Sequence, residues 1–385
     1  MRAATLANTV SHTALVDFFV DGDTLPPSIK WSTGLPLHVP DELAQAIKCG
    51  SIEVDETTRV LAAKVAIELR IRAAFTPNSP LSSRLPAHYH NIPGPLRRAL
   101  AHVVGRLQRQ RQSRWARFPG WPIDLSADFA ADLAGMPSIT FKRTPVLLSH
   151  DIDTPEGLYN LVRMFLPLEE QADAVSTNFV VPCAWSVDPA LVMEVKSRGH
   201  EIGVHGYDHR NRTPFCNATE REKRLSDGRV FGDQYGAIGY RSPSLLRTKA
   251  LLTALEQNYT YDSSIPTSGG AFPVPNNGCA SARPWRIGNI WEIPLTMPRD
   301  GSLRFLGYSP TQIVRMWRTV AVTVAQSGGI VSLLTHCEAG FSGNQPMLSA
   351  YRSFIEWIKA DDRFEFMRMD KLAAVLEGTN AANFS

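Results

Sequence analysis

Two histidines stand four residues apart in Gly203-Val204-His205-Gly206-Tyr207-Asp208-His209. That spacing lets two imidazoles meet one metal ion. Upstream, Ser149-His150-Asp151-Ile152-Asp153 supplies two carboxylates. Downstream, Tyr240-Arg241-Ser242-Pro243 supplies an arginine, and Leu334-Thr335-His336 a third histidine. A catalytic metal takes three protein ligands and leaves a position for water or substrate, so Asp153, His205 and His209 are the candidate ligands. A divalent ion held in this way lowers the pKa of water towards about 7, and a neighbouring carboxylate can then accept the proton. Asp151, two residues before the ligand, is the candidate base. Arg241 can pair with Asp151 and orient it, Pro243 fixes the backbone that follows, and His336 is free to protonate a leaving amine. His-x-x-x-His alone occurs often by chance. The joint occurrence of four such segments in this order carries the inference, which is metal-assisted hydrolysis of an amide. Nitrogen and oxygen donors suit zinc, and also cobalt, nickel, iron or manganese.

These residues need a scaffold that brings distant segments together. From about residue 144 short β-rich runs alternate with helical stretches, the pattern of an α/β domain with parallel strands. Expected strands are 145–149, 178–181, 201–204, 238–241, 291–294, 330–335 and 363–366. Expected helices are 189–197, 310–326 and 345–359, the last two with apolar residues at helical spacing. Asp151, His205, Arg241 and His336 then all fall at strand C-terminal ends, where barrels of alternating strands and helices form their sites. Gly206 suggests that the segment after His205 is a loop leading into one helical turn.

Residues 1–140 read as a mostly helical extension or small accessory domain, with helices expected over 41–49 and 57–71. Arg59, Lys64 and Arg70 interrupt the apolar stripe of the second. Residues 95–117 carry seven arginines and no acid, with Leu96, Leu100, Val103, Val104 and Leu107 on one face. The simpler reading is a helix packed on the catalytic domain; the sharper one is a peripheral contact with anionic lipid or a grip on a phosphorylated substrate. A net charge of +3 over 385 residues gives no reason to expect a nucleic-acid partner. Five scattered cysteines without a Cys-x-x-Cys pair argue against a disulfide framework. Residues 1–20 lack an apolar secretory core, and no stretch reaches transmembrane length. The chain therefore reads as cytoplasmic, with membrane-peripheral placement left open. The oligomeric state is not legible.

Over residues 144–378 the combined motifs resemble the polysaccharide deacetylase family (carbohydrate esterase family four, chitooligosaccharide deacetylase-like). The resemblance implies an α/β fold, a deformed (β/α) barrel of seven strands, occupying residues 141–385 here. It implies that Asp151 is the base, that Asp153, His205 and His209 hold the metal, that Arg241 and Pro243 form the third motif, and that Leu334-Thr335-His336 forms the fifth. The two aspartates, adjacent in the common form, are split here as Asp-x-Asp, a variant form that includes non-sugar amidases. Ser244 stands where a tyrosine often follows the proline. The fourth motif is represented by Tyr261-Asp262-Ser263 without its tryptophan, so Asp262 is the aspartate expected to orient His336. His150, where many relatives have phenylalanine, is expected to be a supporting hydrogen-bond partner, and Cys337 an incidental buried thiol.

Three readings follow. The first is a metal-dependent hydrolase removing an N-acyl group, foremost acetyl, from an amino sugar or glycan precursor. The second keeps the site and changes the substrate to a small non-sugar amide, imide or formamide. The third is a non-catalytic glycan-binding barrel, against which the retention of every polar catalytic position weighs.

Overall fold

The computed structural model describes residues 56–73, 103–110, 123, 125–267 and 278–383, with four short strands before them. Those strands are β1 (Ala4–Thr5), β2 (Ser28–Lys30), β3 (Pro36–His38) and β4 (Glu53–Val54); β1 pairs with β4 and β2 with β3, both antiparallel. The main sheet comprises β5 (Thr144–Ile152), β6 (Ser176–Val180), β7 (Glu201–His205), β8 (Gly239–Arg241), β9 (Tyr261–Asp262), β10 (Trp285–Ile287), β11 (Ile290–Glu292), β12 (Val331–His336) and β13 (Phe364–Phe366). Its order is β10-β11-β9-β8-β7-β6-β5-β12, with β13 paired to the start of β5. The run from β11 to β12 is parallel throughout; only β10 is antiparallel to its neighbour. The chain after β11 spans the gap between the two ends of that run. Leu295 N–H donates to Ile265 O, and Met297 N–H donates to Ser332 O in β12. The result is the deformed (β/α) barrel that the family resemblance implies, built on the parallel strands that the alternating pattern predicts.

Helix starts are encoded locally. Thr154, Asp188, Ser309 and Asn344 each accept a backbone N–H of the first turn, and each is followed within two residues by proline. A polar N-cap satisfies an orphan donor, and proline tolerates the position where its missing N–H costs nothing. Ser309 and Gln312 complete a reciprocal capping box. The helices Pro189–Ser197, Pro310–Gln326 and Gln345–Lys359 have the predicted limits. Strands β9 and β10, two and three residues long, carry too little periodicity to be read from sequence.

Side chains alternate across β5 with period two. Leu148 and Ile152 face the helices in the larger core, while Leu147 packs in the barrel interior with Phe179, Tyr261, Trp291, Ile293 and Ile330. The C-terminal helix Met369–Asn383 closes that interior with Met369, Leu372, Ala373 and Leu376. A dry, close-packed lower barrel fixes the register of the strands, and with it the heights of the polar residues at their C-terminal ends.

Residues before 141 share the larger core. Ala62, Val65, Ala66 and Leu69 of helix Glu56–Ala73 pack with Leu125, Ala127, Phe129 and Leu133 around helix Ser126–Leu133. Arg70, one of the charges breaking the apolar stripe, pairs with Asp128 at 3.2 Å. The expected helix over 41–49 lies outside the described residues, and of 95–117 the structure describes only 103–110. This piece docks differently from expectation: Val103 and Leu107 are exposed, while Gly105 is buried so close to the Phe305 carbonyl that a Cβ would collide with it. Arg109 lies over the Tyr308 ring at 4.1 Å and donates to Gly307 O. Among the described residues no helix is long and apolar enough to cross a membrane.

Candidate metal centre and its flanking acid and base

Asp153, His205 and His209 each offer one ligand atom, and the three atoms lie within 4.8 Å of one another. Asp153 Oδ1 is 3.4 Å from His205 Nε2 and 3.4 Å from His209 Nε2. Asp153 Oδ1 and His205 Nε2 are buried without a hydrogen-bond partner. Such atoms normally cost stability unless something satisfies them. A divalent cation is the group that two imidazole nitrogens and a carboxylate oxygen satisfy together. His205 Nδ1 donates to the Arg241 carbonyl oxygen at 3.0 Å, which fixes the tautomer and leaves the Nε2 lone pair for an ion. Burial lowers the pKa of His209, and the neighbouring Asp153 carboxylate only partly offsets it. For Asp153 burial acts upward, but His209 and His205 outweigh it and hold the carboxyl well below its usual range. His209 is 29% and Asp153 21% exposed by side chain, against 1% for His205. The open face of the centre is therefore on the His209–Asp153 side.

The expected helical turn between the histidines is absent. The segment is a series of bends, with left-handed backbone at Gly206 (φ 65°) and His209 (φ 57°). These reversals bring the two rings to 5.4 Å. Gly206 also touches the third motif: a Cβ there would lie 2.4 Å from Pro243 Cδ. Positive φ and the close approach together demand glycine.

Asp151 sits on the inner side of this centre. Its Oδ2 is 3.5 Å from His205 Nε2, and its Oδ1 accepts from Arg241 Nη1 at 2.9 Å. Arg241 is fully buried and gives its other donors to Ser263 O, Ser263 Oγ and Ser149 Oγ, with its plane 4.0 Å above the Phe179 ring. A guanidinium fixed on three sides can place a carboxylate but cannot follow it. Burial pushes Asp151 upward, and His205, Arg241 and His336 together bring it below its ordinary value. Beyond Arg241, Ser244 and Leu245 both adopt left-handed backbone (φ 53° and 57°), strain of about 1–3 kcal/mol each that clusters at sites.

His336 ends β12. Its Nδ1 donates to Asp300 Oδ1 at 2.9 Å, and its ring stacks on Phe341 at 4.6 Å. This corrects the expectation for Asp262, since the aspartate that orients His336 is Asp300. Asp300 accepts four hydrogen bonds, from His336 N and Nδ1, Gly301 N and Ser342 Oγ. Burial acts to lower the pKa of His336, but Asp300 overrides it and raises it to about 10.

Asp262 is turned away from this acid for a topological reason. The β9–β11 register sets it directly beside Glu292. Burial raises both carboxyls, Glu292 further, so the pair shares a proton carried by Glu292. Asp262 accepts from Ser264 Oγ at 2.6 Å, and Ser264 Oγ accepts the Ser242 N–H at 2.8 Å. Asp262 thus braces the turn after Arg241 from below.

The sequence reading missed Asp300, which lies in the segment well beyond the end of β11 and not at a strand end. It also missed Glu338, which accepts from Asp153 N at 3.1 Å and Thr154 Oγ1 at 3.0 Å. Burial and the Asp153 charge raise the Glu338 carboxyl to about 7. His150 points away from the site: it bonds Glu169 at 2.7 Å and Thr335 Oγ1 at 2.8 Å, within a buried set completed by Tyr351. Cys337 is buried.

Comparison with known proteins agrees with this architecture. Residues 139–257 match the polysaccharide deacetylase family. A Mycobacterium smegmatis protein classed as a polysaccharide deacetylase is 19% identical, with 63% of this chain and 94% of that one covered at a TM-score of 0.50. The Puue allantoinase is 15% identical, with 66% and 96% covered at 0.51. A Pseudomonas aeruginosa PAO1 protein classed as a polysaccharide deacetylase is 15% identical, with 66% and 97% covered at 0.50. At these identities the likeness is one of fold. No curated protein matches the sequence.

Proposed function

We propose that this chain, whose residues 139–257 match the polysaccharide deacetylase family, is a metal-dependent N-deacetylase of an amino sugar or glycan precursor. It is a hydrolase of carbon–nitrogen bonds other than peptide bonds. The observation that carries the reading is the convergence of Asp153 Oδ1 and His205 Nε2, buried and unsatisfied, with His209, at a centre whose charge is felt by both Asp151 and His336. A divalent ion, with zinc favoured and cobalt, nickel, iron or manganese also suited, supplies carbonyl polarisation and acidifies water there. Asp151, fixed by Arg241, takes the proton from the attacking water. A backbone amide of the strained turn at Ser244 donates to the developing oxyanion. His336, kept protonated by Asp300, gives its proton to the departing nitrogen as the C–N bond breaks. Acetate and the free amine leave, Asp151 returns its proton to solvent, and His336 takes one up from it. Asp262 has a supporting role through Ser264 and the turn. Placement in the cytoplasm, with or without peripheral membrane contact through 95–117, favours a precursor over mature wall as substrate. Amine release from N-acetylated saccharides, measured with added zinc and with chelator, tests the reading. Turnover unaffected by Asp153→Ala would remove the mechanism.

A further inference from the structure

Arg299 is an arginine that the reaction above does not use. It immediately precedes Asp300, the partner of His336, and caps the short helix Asp300–Phe305. Trp317 Nε1 donates to Pro298 O at 2.7 Å and pins the chain just before it. Gly301, two residues on, lines the acid: a Cβ at that position would be 3.8 Å from His336 Cε1 and 3.5 Å from the Phe341 ring. Arg299 is half-buried, and its strongest electrostatic neighbours are Asp151 and Asp300. Yet no carboxylate among the described residues lies within 4.0 Å of it. Its one hydrogen bond runs from Nε to Ser302 Oγ at 3.0 Å, so the four N–H donors on its terminal nitrogens have no acceptor among the described residues. Arg241, by contrast, has all three nitrogens engaged.

A guanidinium near buried carboxylates but paired with none is a fork set for an oxyanion, because its planar donors match carboxylate and phosphate in two-point fashion. Its position on the wall that carries Asp300 and faces His336 also fixes which half of a substrate it meets. His336 protonates the nitrogen, so this wall flanks the departing amine rather than the acyl group. We infer that Arg299 selects substrates whose amine-bearing half carries an oxyanion, a carboxylate or phosphate close to the N-acyl nitrogen. This deepens the proposed deacetylation and rests on it for the assignment of the amine side.

The test uses two readouts. The first is binding to the metal-free full-length protein by titration calorimetry, comparing N-acetylglucosamine with its 1-phosphate and 6-phosphate and with N-acetyl-L-alanine. At least one anionic probe is expected to bind tenfold or more tightly than the neutral sugar. Arg299→Gln should bring that ratio to near one, and Arg299→Lys, which keeps charge but loses the fork, should retain part of it. The phosphates against the amino acid distinguish the two oxyanion sources. The second readout is kcat/KM on the same compounds with zinc, where the preference should appear in KM. Equal binding of neutral and anionic probes by the native protein, or a preference that survives Arg299→Gln, overturns the inference even if deacetylation is confirmed. A preference abolished in Arg299→Gln without any turnover of any probe would uphold the oxyanion site and refute the deacetylase reading instead.

Discussion

Asp300→Asn is the most informative single change, because Asp300 acts on His336 through charge and through geometry at once. The imidazole rises from its ordinary 6.5 to about 10, with Asp300 the leading cause against burial. At about 1.4 kcal/mol per unit, the stabilisation of the charged ring has a ceiling of about 5 kcal/mol. Removing the charge brings His336 down toward its ordinary 6.5, with burial acting to lower it and only Asp153 and Asp151 still acting to raise it. A ring at its ordinary value is about one tenth protonated at pH 7.5, against nearly complete protonation in the native protein. Asparagine also turns an NH₂ toward at least one of the four donors that the carboxylate accepts, leaving N–H groups facing each other at about 1–3 kcal/mol for a lost buried partner. The ring thereby loses its orientation as well as its proton, and a positioned acid is worth about 10²–10⁴ in rate. Amine release at pH 7.5 should drop by about 10²–10³, and part of the loss should return near pH 5.5, where the ring is again charged.

The stability consequence has a definite sign. A histidine whose folded pKa is raised contributes fully below its unfolded value of about 6.5 and loses that contribution as pH rises through about 10. Urea unfolding of the metal-free protein should therefore show a loss of a few kcal/mol between pH 7 and pH 10 that Asp300→Asn does not share. NMR titration of the His336 ring in the metal-free protein reads the same quantity directly. A native ring that titrates near 6.5, or an Asp300→Asn protein within threefold of native activity at pH 7.5, would refute the reasoning. So would a shift of the ring pKa in Asp262→Asn comparable to that in Asp300→Asn.

Three further outcomes are expected. Zinc at about a hundredfold over its Kd should stabilise the native protein by about 2.7 kcal/mol; a thermal shift that persists in Asp153→Ala would place the ion elsewhere. Gly206→Ala forces a side chain into positive φ and to 2.4 Å from Pro243 Cδ, so its urea midpoint should fall by the equivalent of about 1–3 kcal/mol, and an unchanged midpoint would show that the turn relaxes freely. Burial, then the charge of Asp370, raises the Glu201 carboxyl to about 7, so its stabilising effect is present below the unfolded value of about 4.5 and is lost as pH rises through 7. Native stability should therefore fall from pH 5 to pH 8 by at most about 3 kcal/mol, and a decline equally steep in Glu201→Gln would assign it to another group.

What the sequence could convey depended on whether an interaction is local. His205, Arg241 and His336 were readable because each ends a strand of three or more residues whose apolar period marks where it stops, and an endpoint of a parallel strand is also a position on the site face. The limits of three helices were readable for the same reason: a polar cap and a proline within two residues mark the starts of Pro189–Ser197, Pro310–Gln326 and Gln345–Lys359. The aspartate that serves His336 was not readable in this way. Asp262 ends the two-residue β9 and Asp300 opens a short helix beyond β11, and no local signal marks either as the partner of His336. The distinction is made across the sheet. Glu292 stands beside Asp262 in the β9–β11 register and draws it into a shared-proton pair, whereas the chain after β11 crosses to β12 through Met297 and delivers Asp300 to the end of that strand. The same crossing leaves Arg299 beside the acid with its fork unengaged. The closure of the barrel between β11 and β12 therefore selects the acid's partner and sets the charge that an incoming amine must carry past it. A register shift of the 295–297 segment would disturb both at once, while leaving the ligands on β5 and β7 in place.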